Sequence, residues 1–250
     1  MPVGRGGLCR CGRINPAQGE SKGAATTGRS LSVWAVLAAA GRGERLGSDR
    51  PKAFAKLRDR PLLAESLERL EASDWIDSIV IVAPPGWEEP SILLAEELAC
   101  TKVVACATGG ETRAESVRAG VAEVGDDAAV IVVHDAARPV LPDEVLERVL
   151  TALNEGWDGA VPVLPLADTV KRVRDGRIVE TLPREELAAA QTPQAFLASA
   201  LREALGGDLA GATDCASLVE TRGRVATVPG DRTLLKVTDL SDLELVASFL

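Results

Sequence analysis

The 250-residue sequence has no tyrosine, three phenylalanines and four tryptophans, so aromatics make up only 3% of it. Proteins that hold single-stranded nucleic acid stack bases on aromatic rings, and this chain has few to offer. Charge points the same way. At a net −9 the surface repels phosphate backbones, so any anion site must be local. Five cysteines, at positions 9, 11, 100, 106 and 215, are an odd and scattered set that does not form a disulfide framework. Cys9 and Cys11 have the look of half a zinc site, but no second Cys/His pair follows at zinc spacing. No stretch approaches the ~18 consecutive apolar residues of a membrane span. The expectation is a cytoplasmic protein in a reducing, aqueous compartment, with neither nucleic acid nor membrane as a partner.

What is present is ordinary for a soluble globular protein: 46% hydrophobic and 26% charged residues, enough for one substantial core. Residues 1–30 stand apart. They are rich in Gly, Arg, Ser and Thr and show no helical or strand period. Arg5, Arg10, Arg13, Lys22 and Arg29 face only Glu20, a net +4 within a chain of net −9. This segment reads as a disordered extension or a start codon placed too early. An Arg-rich, acid-poor organelle-targeting peptide is the alternative, and the lack of an apolar core argues against secretion. The folded domain is expected over residues 31–250.

From Leu31 onward, apolar runs alternate with amphipathic stretches. Strands are predicted at Val33–Ala40, Ser78–Ala83, Lys102–Ala105, Ala129–His134 and from Val161 to Leu164. Helices are predicted at Pro61–Leu70, Pro90–Leu98, Arg113–Val124 and Pro142–Leu153, the last with proline in its first turn. Fully apolar strands alternating with helices mean an α/β fold, a mostly parallel sheet with helices on both faces. Ligands then sit beyond the carboxyl ends of the strands. The residues just after Leu37, Ala105 and Val133 should therefore line one crevice. One segment breaks the alternation: Asp168–Thr181 carries an Asp175-Gly176 hairpin signal between two polar strand-like runs. Spacing alone leaves it either a solvated flap or an arm that pairs with another subunit.

Three loops carry the chemistry. The first runs from Ala38 to Gly47, followed by Pro51-Lys52. Its small residues let backbone N–H groups approach a phosphate. It is not a dinucleotide fingerprint, because Leu46 stands where the third glycine belongs and no acidic residue closes the second strand. Nor is it a Walker loop, since Gly47 leads into Ser48-Asp49. What remains is a glycine turn flanked by Arg45 and Lys52. Two such cations suit phosphoryl or nucleotidyl transfer, where catalysis is mostly positioning and charge stabilisation; a merely solvated loop is the alternative. The second loop, Thr108–Arg113, has a Gly-Gly turn able to read a base edge, with Ser116 one turn into the helix. The third is His134–Pro139. Asp135 and Arg138 could neutralise each other there. His134 is the sole histidine, and with no Ser or Cys nucleophile motif beside it, it reads as structural.

Together these loops resemble one family, the 2-C-methyl-D-erythritol 4-phosphate cytidylyltransferases of the non-mevalonate isoprenoid pathway. The resemblance runs from about Val33 to the C-terminus. It rests on AAAGRGERLGSDRPKAF, GGETRAESV, VVHDAARP, DTVKR, QTPQAF, TDCAS and LLKVT occurring in that order. It implies a Rossmann-like nucleotidyltransferase fold, CTP as donor, a polyol phosphate as acceptor, Mg²⁺ as cofactor and a homodimer locked by a projecting β-arm at about residues 166–185. Carried over by motif, Ala39, Ala40, Gly41 and Gly43 would contact the nucleotide, with Arg45 and Lys52 at the α-phosphate. Gly110, Glu111 and Ser116 would read the cytosine. Asp135 and Arg138 would lie between nucleotide and acceptor. Thr169, Arg184, Thr192 and Lys236 would hold the acceptor phosphate, some of them from the neighbouring subunit. Two positions depart from the family pattern: Ala38 stands where proline is common, and Cys215 where an acidic residue is common. The chain is not expected to carry the cyclase domain fused to some members. A ribitol 5-phosphate cytidylyltransferase and a catalytically silent nucleotide-binding protein are the rival readings.

Overall fold

The computed structural model describes residues 32–41, 43 and 50–250. The expected N-terminal extension, Cys9, Cys11 and Arg45 lie outside the described residues. The chain begins with strand β1 (Ser32–Ala38), a 3₁₀ turn at Lys52–Phe54 and a short ribbon of β2 (Lys56–Leu57) and β3 (Arg60–Pro61). Helix α1 (Leu62–Ala72), β4 (Ser78–Ala83), α2 (Glu88–Glu97), β5 (Val103–Thr108), α3 (Arg113–Ala122), β6 (Ala128–Asp135), α4 (Asp143–Asn154) and β7 (Gly159–Pro165) then alternate. A hairpin follows, β8 (Val170–Arg174) and β9 (Arg177–Leu182), then β10 (Ala188–Ala190) and β11 (Gln194–Leu197). The chain closes with α5 (Ala198–Leu205), α6 (Ala216–Val219), β12 (Val225–Pro229) and α7 (Leu240–Ala247).

Seven of these strands line up as β12-β7-β11-β6-β1-β4-β5, with β10 beside the far end of β7 on the β11 side. Only β10 and β11 run against the rest. Side chains alternate across each strand, so the sheet has two apolar faces. Ala35, Leu37, Ile79, Ile81, Val130 and Val132 pack with α1 and α4 on one side. Val36, Val80, Val82, Ile131 and Val133 pack with α3, α5 and α6 on the other. Burial on both faces is why SVWAVLA and SIVIVA are apolar at nearly every position. Helix α4 shows the matching helical pattern: Val145, Leu146, Val149 and Leu150 are fully buried on one stripe. At about 1.5–3 kcal/mol for each such side chain, that stripe, more than helix propensity, holds α4 to the sheet.

Register decides where the loops emerge. Ala38 pairs with both Val82 and Asp135, and Ala83 pairs with Thr108. Four parallel strands therefore end at one level, and the turns that follow them open on the same edge.

The predicted elements are found, with shifted ends. The strand expected at Lys102–Ala105 starts at Val103 and runs on to Thr108, because Cys106, Ala107 and Thr108 continue the pairing with Ile81, Val82 and Ala83 without adding apolar bulk. Helix α2 begins at Glu88, and Pro142 caps α4 from outside rather than sitting in its first turn. Nothing in the sequence pattern announced β10, β11 or β12. Each has three to five residues, too few to show a period. The polar hairpin forms as expected. Asp175 (φ 48°) and Gly176 (φ 74°) both take left-handed conformations, the backbone of a tight two-residue turn.

Candidate active site

The turns after β1, β5 and β6 line one cleft of about 1000 Å³, as the strand ends predict. Ala38–Gly41, Gly43 and Lys52 form one wall, Gly110–Arg113 and Ser116 a second, and Asp135–Ala137 a third, with Lys236 and Thr238 completing it.

The first wall is tied back onto the sheet. The Ala39 N–H donates to the Val82 carbonyl (2.9 Å), and the Lys52 N–H donates to the Gly41 carbonyl (3.2 Å). The second bond brings Lys52 to the base of the glycine turn although it lies eleven positions beyond Gly41. The second wall touches the first. A Cβ on Gly109 would fall 2.2 Å from the Cβ of Ala40, so only glycine lets the two loops approach this closely. The Gly109 N–H donates to the Ala83 carbonyl (2.8 Å). Helix α3 starts with a capping box in which Thr112 and Glu115 satisfy each other's backbone N–H groups. Ser116 is buried and braces this turn: its oxygen accepts from the Gly110 N–H (3.1 Å), and its hydroxyl donates to the Thr112 carbonyl (2.9 Å). Glu111 is exposed on the rim.

The third wall holds the charge. Asp135 is buried, with its two carboxylate oxygens divided between cations. Arg113 Nε donates to Oδ1 at 3.0 Å, and Arg113 Nη2 makes a charge contact with the same oxygen at 2.9 Å. Lys236 Nζ donates to Oδ2 at 2.7 Å. Burial alone would push the Asp135 carboxyl up, but Arg113 and then Lys236 outweigh it and hold the group well below the usual carboxylate range. Lys236 reaches the site because the Val237 N–H donates to the Ala137 carbonyl (2.8 Å), pinning the C-terminal loop to the turn after β6.

Beneath this wall lies a second hydrogen-bond chain. The Thr192 hydroxyl accepts from the Asp135 N–H (3.1 Å), which leaves its own proton for His134 Nδ1 (3.2 Å). His134 Nε2 is then the protonated nitrogen and donates to the Arg138 carbonyl (3.1 Å). The ring is fully buried, and burial pushes its pKa down to about 4, so it is neutral and its two nitrogens are both engaged. This agrees with a structural histidine.

The mutual neutralisation of Asp135 and Arg138 that the sequence left open does not form. Arg138 turns away to donate to the carbonyls of Leu234 (2.5 Å) and Ala190 (3.5 Å), while Arg113 reaches Asp135 from the facing helix. Arg138 and the buried Thr192 lie behind the cleft lining rather than in it. Thr169 is exposed and Arg184 donates to the Ala167 carbonyl (2.5 Å), both at the base of the β8–β9 hairpin and away from this chain's own cleft. Arg113 was singled out by no sequence argument. A signal existed: it is the first residue of α3, where the positive end of the helix dipole opposes a cation, so an arginine there invites the question of what it pairs with.

Among the described residues no group of three or more His, Cys, Asp or Glu side chains is arranged to hold a metal ion, and no helix is long and apolar enough to cross a membrane.

Comparison with known proteins assigns the chain to a family. The model of the 2-C-methyl-D-erythritol 4-phosphate cytidylyltransferase family matches residues 33–250. An enzyme of that name from Frankia casuarinae is 43% identical over 223 residues, covering 88% of this chain and 82% of its own. One from Nocardia farcinica is 41% identical, covering 88% of this chain and 94% of its own. The solved structure of a 2-C-methyl-D-erythritol 4-phosphate cytidylyltransferase from Thermus thermophilus superposes with a TM-score of 0.69 at 31% identity, over 86% of this chain and 96% of that one.

Proposed function

Because the chain belongs to the 2-C-methyl-D-erythritol 4-phosphate cytidylyltransferase family, we propose that the cleft beyond β1, β5 and β6 is where CTP meets its acceptor. The protein is a nucleotidyltransferase of isoprenoid biosynthesis. It transfers CMP from CTP to 2-C-methyl-D-erythritol 4-phosphate and releases pyrophosphate. The observation that carries the site assignment is the delivery of Lys52 and Lys236 to one glycine-lined cleft in a chain of net −9.

In this reading the turn of Ala39, Ala40, Gly41 and Gly43 receives the triphosphate. Gly110, Glu111 and the turn braced by Ser116 face the cytosine. An oxygen of the acceptor phosphate attacks the α-phosphorus in line, the bond to the bridging oxygen breaks, and pyrophosphate departs with its electron pair. A phosphate monoester is already an adequate nucleophile, so no covalent enzyme intermediate is needed. Lys52, together with Arg45, stabilises negative charge that grows on the α-phosphate and the leaving group. Lys236 takes the acceptor phosphate and offsets its repulsion from the triphosphate. Asp135 holds Lys236, and Arg138 and Thr192 support the loop from behind.

Among the described residues the donor set fits Mg²⁺ only as an ion carried in on the triphosphate, since Asp135 is committed to two cations and Mg²⁺ keeps several waters in nucleotide sites. Held by the phosphate oxygens, it would supply further charge neutralisation.

The β8–β9 hairpin is the arm of a homodimer. Supporting this, Val173 and Ile178 pair across it, are 56% and 65% exposed, and among the described residues join none of the hydrophobic clusters. In such a dimer Thr169 and Arg184 would serve the partner's acceptor site. Residues 31–250 are then one cytidylyltransferase domain, and CTP as donor suits a cytoplasmic enzyme.

The test is an activity panel scored by pyrophosphate release: CTP and UTP against 2-C-methyl-D-erythritol 4-phosphate and ribitol 5-phosphate. Turnover with CTP and the erythritol phosphate is expected. Preference for ribitol 5-phosphate would reassign the acceptor site, and CTP binding without turnover on any acceptor would overturn the catalytic reading.

A further inference from the structure

Arg113 is costly where it stands. Its side chain is 24% exposed, and it occupies the first position of α3, against the helix dipole. Among the described residues, Asp135 is the one carboxylate within ion-pairing distance of it. Its other contact is Cys215 Sγ, 3.6 Å from Nη1. That thiol is fully buried, which pushes its pKa up to about 11, so it is neutral and takes no share of the arginine's charge. Lys236 meets the other oxygen of the same carboxylate and is 40% exposed towards the cleft.

The charge balance of this trio is the point. Asp135 and Lys236 alone are a neutral pair, and a neutral pair offers a phosphate dianion little. With Arg113 on Oδ1 the cluster is net +1, and Oδ2 is held in place to aim the ammonium. We propose that Arg113 is a positioning residue that acts through Asp135, keeping Lys236 both oriented and electrostatically available to the acceptor phosphate. The proposal rests on the reading of Lys236 as the acceptor-phosphate cation.

The experiment is a double-mutant cycle on the full chain: Arg113→Gln, Arg113→Lys, Lys236→Gln, and the Arg113→Gln/Lys236→Gln double variant, with KM measured separately for CTP and for 2-C-methyl-D-erythritol 4-phosphate. Arg113→Gln should raise the acceptor KM by about tenfold or more, as expected for losing a hydrogen bond between charged groups, and move the CTP KM by less than about threefold. Arg113→Lys restores the net charge and should recover most of the loss. The double variant should be no worse than Lys236→Gln alone by more than about twofold, because Arg113 has nothing left to act through. Multiplying penalties in the double variant, or a loss that falls on CTP, would overturn the proposal.

If Arg113→Gln does not fold, Arg113→Met, which keeps the length of the side chain without its charge, still decides the matter through the acid limb of kcat/KM for the acceptor. The groups facing Asp135 are Arg113 from α3, Lys236 from the C-terminal loop, Arg138 from the turn after β6, whose charge also acts on the carboxylate, and the neutral His134 and Cys215. Weakening the first lets burial raise the carboxyl, so the acid limb should move to higher pH; an unmoved limb counts against the proposal. The underlying reading fails separately: if Lys236→Gln alone leaves the acceptor KM unchanged, Lys236 is not the acceptor cation, and the role of Arg113 falls with it.

Discussion

A Cβ built on Gly43 would stand 2.9 Å from the Cβ of Lys52 and 3.0 Å from its Cα. Gly43 also has φ +71°, a conformation that disfavours any side chain. Two separate constraints therefore demand glycine where the chain at Gly43 meets Lys52, the lysine proposed for the triphosphate.

Gly43→Ala must either push Lys52 back or unwind the turn. It should lower kcat/KM for CTP by at least tenfold while costing about 1–3 kcal/mol of stability, the usual value of one strained left-handed residue. Steady-state kinetics beside a denaturation curve separate the two effects. Wild-type kinetics would show that the loop does not set the position of Lys52.

Lys52→Ala should lower kcat by about 10²–10³, the usual loss when one preorganised donor to a transition-state charge is removed, and leave stability nearly unchanged. Single-turnover rates at saturating CTP and acceptor give the reading. A variant with near-normal kcat removes Lys52 from the chemistry.

His134 makes stability depend on pH in a definite window. Unfolded, its imidazole titrates at 6.5; folded, burial lowers it to about 4. Between those values the unfolded chain binds a proton that the native one refuses. The contribution is complete above 6.5 and is lost as pH falls towards 4. The full difference amounts to about 3 kcal/mol. Because the chain has a single histidine, its ring resonance in an NMR titration is unambiguous. A midpoint near 6.5 would contradict the buried, doubly engaged ring, and His134→Gln should flatten the stability profile across the same range.

If the hairpin is the arm of the proposed homodimer, Ile178→Asp should shift the protein from dimer towards monomer in sedimentation velocity, with little effect on the melting of the sheet. The side chain is 65% exposed in the single chain, so a charge there costs nothing until a partner must cover it. A parent protein that sediments as a monomer, or an unchanged coefficient in the variant, would overturn the arm reading.

The sheet and the position of the cleft were legible from residues alone. Strands buried on both faces must be apolar throughout, and SIVIVA was bounded correctly at Ser78–Ala83 because prolines follow it at once. Strand ends in a parallel sheet then nominate the loops without any knowledge of packing. Signals that depend on a period of several residues failed where the element was shorter than that period, as for Gln194–Leu197.

What the chain order could not decide was who pairs with whom. Asp135 and Arg138 are three residues apart and their pairing was an open alternative, yet Asp135 is met by Arg113, 22 positions away, and by Lys236, 101 away. Sequence sets the residue types and the local turns, because those follow from side-chain volume, backbone freedom and periodicity. The choice of counter-charge belongs to the tertiary structure: it depends on sheet register and on the helix that the register brings opposite, and neither is written at the position of the carboxylate itself.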